Sequence, residues 1–354
     1  MPFANEKSSA LGHEEILKDP EVRELLSECS YLVDPSLHTS EVLSNTHDFT
    51  QLVQHPTAGF VLASDGSRYE SSVQASFPSV RVGMVKLGQV FISISEYLNL
   101  EASSSHLVDP VKAAAVRRER ASFAVPLTGA GVRIGSRSYK SSFRFSLFQA
   151  FCSRKFELVG QKLLTTLVML CQRMGRTTLD SAGRLCVVLN ANTKCPVTGQ
   201  PLPSDVLVPV DPGYCDAELA DGDQIYVTDI LRLHEPYVPE GSNIECFTRA
   251  MVALEHILMV HTLYQLGSNP TTRGALQDMV VLMDGSLALF GEPAKFHRPI
   301  MDVLHDIREG FEGPNGFVTG LADRAPVVMG VTKTGRVVEH GALIKPILES
   351  QFAR

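Results

Sequence analysis

Apolar residues recur at helical spacing from Phe247 through Met251, Leu254, Leu258 and Met259, a period that predicts one long helix reaching about Gln265. The segment just before it, Ser242-Asn243-Ile244-Glu245, has the form of a capping box, in which Ser accepts from the third helical N–H and Glu reaches back. Glu255 falls on the apolar side of this helix, since its neighbours three and four positions away are Met251, Val252, Leu258 and Met259. A carboxylate there needs a cation or hydrogen-bond partner, or it is neutralised by a raised pKa.

After the turn signal Gly267-Ser268-Asn269-Pro270, five apolar residues from Met279 to Met283 predict a strand buried on both faces and ending in Asp284-Gly285-Ser286. Upstream, Gly59 to Ser64 predicts another apolar strand, and it too runs into Asp-Gly-Ser, at Asp65-Gly66-Ser67. Alternation over Val80, Val82, Met84 and then Val90, Ile92, Ile94 predicts a hairpin turning at Lys86-Leu87-Gly88. Further elements are a helical arm around Glu14 to Cys29, a buried helix from Leu163 to Cys171 and a strand from Leu185 to Leu189. Beyond the second Asp-Gly-Ser come a short helix from Ile300 to Glu309 and a strand from Ala325 that ends at Lys333. Asn190 to Asp223 is rich in Pro, Gly and Asp and reads as an insertion.

Composition narrows the class. The chain has 354 residues, 44% hydrophobic, enough for one large or two ordinary domains. No apolar run approaches the ~18 residues of a membrane span, and the first residues lack a signal or transit pattern, so a cytoplasmic protein is expected. Seven cysteines, odd in number and without a Cys-x-x-Cys pair, suggest neither a zinc site nor a disulfide framework. Net charge is −7, yet Lys112 to Lys155 holds ten basic residues against the single acid Glu119, with Phe123, Tyr139, Phe143, Phe145, Phe148 and Phe151 interspersed. Cations that track phosphates beside rings that stack on bases suit single-stranded DNA, which makes Arg117, Arg118, Arg120, Arg133, Arg137, Lys140 and Arg144 candidate contacts.

Each acid has an ordinary explanation: Asp-Gly is a common turn dipeptide, and a helical Glu among hydrophobes can pair with an Arg. Their order, strand-Asp, helix-Glu, strand-Asp, is the one ribonuclease H-like nucleases use to hold divalent metals. Hard cations prefer carboxylate oxygens, and a pair of them can activate water and stabilise a departing oxygen.

The two Asp-Gly-Ser segments, the helix Phe247-Thr248-Arg249-Ala250-Met251-Val252-Ala253-Leu254-Glu255 and Gly330-Val331-Thr332-Lys333 together resemble the NurA nuclease domain over about Leu52 to Lys333. The resemblance implies an α/β fold with a ribonuclease H/PIWI-like mixed sheet flanked by helices. The N-terminal arm would occupy 1–50 and the nuclease domain 51–354, with a large insertion at about 105–235. It implies a DNase dependent on Mn2+ or Mg2+, acting as a homodimer with a hexameric HerA-type ATPase translocase in DNA end processing or anti-phage defence. Asp65, Glu255 and Asp284 would be the metal ligands, Lys333 would lie near the scissile phosphate, and Arg68 could contact the DNA backbone. The family's final Tyr-Pro segment and metal-binding His have no counterpart before Arg354; past Lys333 the sequence offers only His340. Two other functions stay open: a non-catalytic, DNA-clamping or regulatory subunit of such a translocase, and a small-molecule phosphohydrolase with Asp65 as nucleophile.

Overall fold

A computed structural model describes residues 18–28, 38–44, 58–100, 120–216, 223–313, 316–333 and 336–352. The chain divides into two units, one of residues 55–333 and one that joins 1–54 with 334–354. The smaller unit contains α1 (Pro20–Glu28), α2 (Thr39–Ser44) and, from the other end of the chain, α8 (Arg336–Phe352).

In the larger unit β1 (Phe60–Gln74) and β2 (Phe77–Ser93) form a long antiparallel hairpin, followed by α3 (Ile94–Leu98) and β3 (Arg120–Thr128). Next come α4 (Tyr139–Phe151), α5 (Leu163–Arg173), β4 (Thr177–Leu179), β5 (Leu185–Leu189), β6 (Val206–Pro209), β7 (Tyr214–Asp216) and β8 (Gln224–Tyr226). The chain then runs through α6 (Ile244–Ser268), β9 (Met279–Asp284), α7 (His297–Glu309), β10 (Gly310–Gly313), β11 (Gly316–Thr319) and β12 (Val327–Val331). The central sheet has the order β12-β9-β1-β2-β3, parallel across β12, β9 and β1 and antiparallel across β1, β2 and β3. It is a mixed α/β fold with helices flanking a mixed sheet.

α6 lies against one face of β1 and β2. Side chains alternate along a strand, so Leu62, Val85, Leu87, Val281 and Met283 point into the core with Leu254 and Leu258. The contact is close. A Cβ on Gly83 would stand 2.4 to 2.6 Å from ring atoms of the fully buried Phe247, so only glycine lets β2 and α6 approach this far. The helix start differs from the capping box. The Ser242 hydroxyl hydrogen-bonds Glu70 of β1, the Asn243 N–H donates to the same carboxylate at 2.9 Å, and Glu245 pairs with Arg249 at 2.6 Å. An acid from the neighbouring sheet thus compensates the positive helix end in place of the helix's own Glu.

Three strand expectations are also corrected. β1 does not end at Asp65; it continues to Gln74, because Ser67 to Ser72 keep antiparallel partners in β2. The hairpin turns at Ala75-Ser76, and Lys86-Leu87-Gly88 lies within β2, paired with Ser67, Gly66 and Asp65. β9 does end at its Asp, but it is fully buried on one face only, with Val280 and Leu282 half-buried on the other.

Candidate functional site

Because β1 and β9 are parallel neighbours in the register Ser64 to Met283, Asp65 and Asp284 emerge at the same level on the face away from α6. Their carboxyls are close enough to share a hydrogen bond when one is protonated, and Asp65 is pushed above its usual range by burial and by the Asp284 charge. Lys333, just beyond β12, donates to Asp284 Oδ2 at 3.0 Å. That contact raises the lysine and holds its ammonium charged. The three line a cleft of about 750 Å3 with Ser67, Lys86, Gly88 and Ser122 on its floor. Gly88 is the register partner of Asp65 and presents no side chain, which leaves space beside the acid.

Glu255 approaches from the other side of β1. It is 5% exposed, and its carboxylate occupies the space that a Gly66 side chain would fill: a Cβ there would lie 2.3 Å from Oε1. Pairing of β1 with β9 stops at Ser64, and the Gly66 amide favours the ionised forms of both Asp65 and Glu255. Burial first, then the charges of Asp65 and Asp284, push Glu255 up to about 7. The three acids therefore interact across one glycine. Among the described residues, however, no three His, Cys, Asp or Glu side chains are arranged to hold one ion. The donor set is all carboxylate oxygen with mutual repulsion only partly offset by Lys333, which is chemistry that fits a hard divalent cation.

Glu255 makes stability depend on pH in a defined sense. The folded chain keeps its proton to about pH 7, whereas the unfolded chain releases it near the ordinary 4.5. Between these values the folded state binds more protons, so its stability falls as pH rises. The melting temperature of Glu255→Gln relative to wild type should therefore be small near pH 5 and increasingly positive toward pH 8. The gain is at most about 1.4 kcal/mol for each unit crossed. Taking the difference cancels the histidines common to both proteins, and a difference that stays flat from pH 5 to 8 would contradict the raised carboxyl.

The other sequence candidates separate. Arg144 is not free for a phosphate: it is 1% exposed, with Nε 2.9 Å and Nη2 2.5 Å from the Asp229 carboxylate. Burial works against both charges, and each offsets the other, so Asp229 stays below and Arg144 above its ordinary value. Lys140 is half-buried and lowered by burial and by the neighbouring Arg144. Arg137 lies 3.9 Å over the Phe145 ring and donates to Tyr226 Oη; Arg133 donates to the Ser136 and Arg137 carbonyls. Phe143, Phe148 and Phe151 are core residues, which removes them as stacking platforms. Arg120 opens β3, while Arg117 and Arg118 lie outside the described residues. Arg68 points to the α6 side of β1, opposite to Asp65, and His340 is exposed on α8 in the smaller unit. Glu70 and Lys86 were missed, and a turn placed at Ala75-Ser76 would have put Lys86 on the Asp65 face.

Fold and site define a mixed α/β protein with a lysine-flanked acidic cleft at the end of its parallel strands. No protein-family model matches the chain, and no curated protein or solved structure matches it significantly. Among the described residues no helix is long and apolar enough to cross a membrane.

Proposed function

We propose that the chain is a metal-dependent deoxyribonuclease whose cleft hydrolyses phosphodiesters of single-stranded or end-exposed DNA. The observation that carries this is the contact of Asp65 with Asp284 on adjacent parallel strands, with Glu255 electrostatically coupled to both and Lys333 beside them. Asp65 and Asp284 would hold Mn2+ or Mg2+, with Glu255 as a third carboxylate drawn toward the ion's charge. A bound ion of this kind supplies charge for a phosphoryl oxygen and lowers the pKa of water. Lys333 would orient a non-bridging phosphate oxygen, and the small floor at Gly88, Ser67 and Ser122 would admit the strand. The NurA resemblance extends the proposal to a homodimer working with a HerA-type translocase in end processing or phage defence, with Arg117, Arg118 and Arg120 as further DNA contacts.

A labelled single-stranded oligonucleotide should be cut by the full chain in Mn2+ and left intact in EDTA. Equal cutting in both would contradict metal dependence. A second function, a DNA-clamping or regulatory subunit without hydrolysis, is favoured by the lack of a three-ligand arrangement among the described residues. DNA binding without cutting, both alone and with a translocase, would select it.

A further inference from the structure

The open face of the sheet continues beyond the acids. Along the same strands lies a second groove of about 750 Å3 with mainly apolar walls. Tyr69 and Met84 are register partners on its floor, Pro126 lies beside Met84 on β3, and Phe145 of α4 forms a wall. Tyr69 is 63% exposed, so most of its ring is open to solvent. Three residues of strand lie between it and Asp65 on the same face, a span of ~13 Å.

Cations stand where groove and acidic cleft meet. Lys86 lines the cleft and is exposed, and among the described residues it has no ion-pair partner. Its β3 neighbour Ala124 lines the apolar groove, and Lys155 Nζ donates to the Ala124 carbonyl at 3.3 Å. A purely apolar polypeptide segment would satisfy the walls but not the two ammonium groups at the junction. A strand of nucleotides satisfies both, because its bases are flat and apolar on their faces and its phosphates are anionic.

We propose that this groove seats unstacked bases of single-stranded DNA, one of them on Tyr69, while the phosphates pass Lys86 and Lys155 on the way to Asp65 and Asp284. The site deepens the hydrolytic assignment and rests on it. Tyr69 and Lys86 bind and position the strand.

The test is binding of a fluorescein-labelled single-stranded oligonucleotide to the full chain in EDTA, read by anisotropy over a range of salt. A copy carrying 2-aminopurine reports stacking. Tyr69→Ala should bind about 5- to 50-fold more weakly and lose the 2-aminopurine quenching, whereas Tyr69→Phe keeps both. Lys86→Met should reduce the salt slope by about 0.7, the contribution of one phosphate, and Lys86→Arg should restore it. All four should melt like wild type. A blunt duplex, whose bases are not free, should show no Tyr69 effect. Unchanged binding, quenching and slope in Tyr69→Ala and Lys86→Met would overturn the groove as a seat for bases, leaving the cleavage result to stand by itself. The expected losses without any Mn2+-dependent cutting would keep the groove and remove the hydrolysis. No binding by wild type would overturn both.

Discussion

Asp65→Asn and Asp284→Asn should each lower single-stranded DNA cleavage in Mn2+ by about 1,000-fold or more while leaving the melting temperature unchanged or raised. Loss of activity follows from removing a charged oxygen donor where the ion and developing negative charge must be held, an effect of several kcal/mol in preorganised sites. The stability half follows from the electrostatics of the metal-free protein. Asp65 is raised by burial and by Asp284, and both acids raise Glu255, so the folded state carries repulsion that an amide relieves. Sites kept for function commonly gain stability when neutralised. Asp284→Asn also weakens the ion pair with Lys333, but that pair is solvent-exposed and contributes little. Cleavage within tenfold of wild type in both variants would remove the acids from the chemistry. A fall in melting temperature of many degrees would instead make them structural.

Gly66→Ala should lose about 100-fold in cleavage with only a moderate fall in stability. The new methyl would stand 2.3 Å from Glu255 Oε1 and 2.9 Å from Met251 Cγ. The end of the Glu255 side chain can swing aside, so the backbone need not break, at an overpacking cost of about 1 to 3 kcal/mol. What cannot survive is the position of the carboxylate beside the Gly66 amide. A displacement of about 1 Å in a positioned group is enough for a loss of that order. Gly88→Ala is the natural control, because a Cβ there finds only the Asp65 carbonyl oxygen at 3.7 Å. It should melt like wild type. Equal activity of Gly66→Ala and wild type would show that the place of Glu255 does not matter.

Gly66 also explains what the sequence discloses and what it hides. Apolar periodicity is enough to predict the Glu255 helix and the Asp284 strand, since each is a local pattern of burial, whereas Lys333 comes beside Asp284 through the pairing of the largely exposed β12 with β9, which no local pattern discloses. The same local logic misplaces the first Asp-Gly-Ser, because the dipeptide that usually marks a turn here serves close approach of a helix carboxylate to a strand. With β1 cut short, the turn of the hairpin moves from Ala75-Ser76 to Lys86-Gly88. Lys86 and Tyr69 then drop out of view, although strand alternation alone puts them on the face of Asp65. The basic stretch misleads for a different reason. A count of charges along the chain does not reveal that Arg144 finds Asp229 85 residues away and is sealed in the core. Likewise Ser242 and Asn243 turn to Glu70, 172 and 173 residues distant, where a local rule offers Glu245.

Whether the acids around Gly66 hold a divalent ion is measured most directly by titrating Mn2+ into the metal-free full chain and into Asp65→Asn and Asp284→Asn by calorimetry at pH 8. Saturable binding by wild type that weakens at least tenfold in each variant is the expected result. Binding of equal strength in all three proteins, or none in wild type, would contradict a metal centre on these carboxylates.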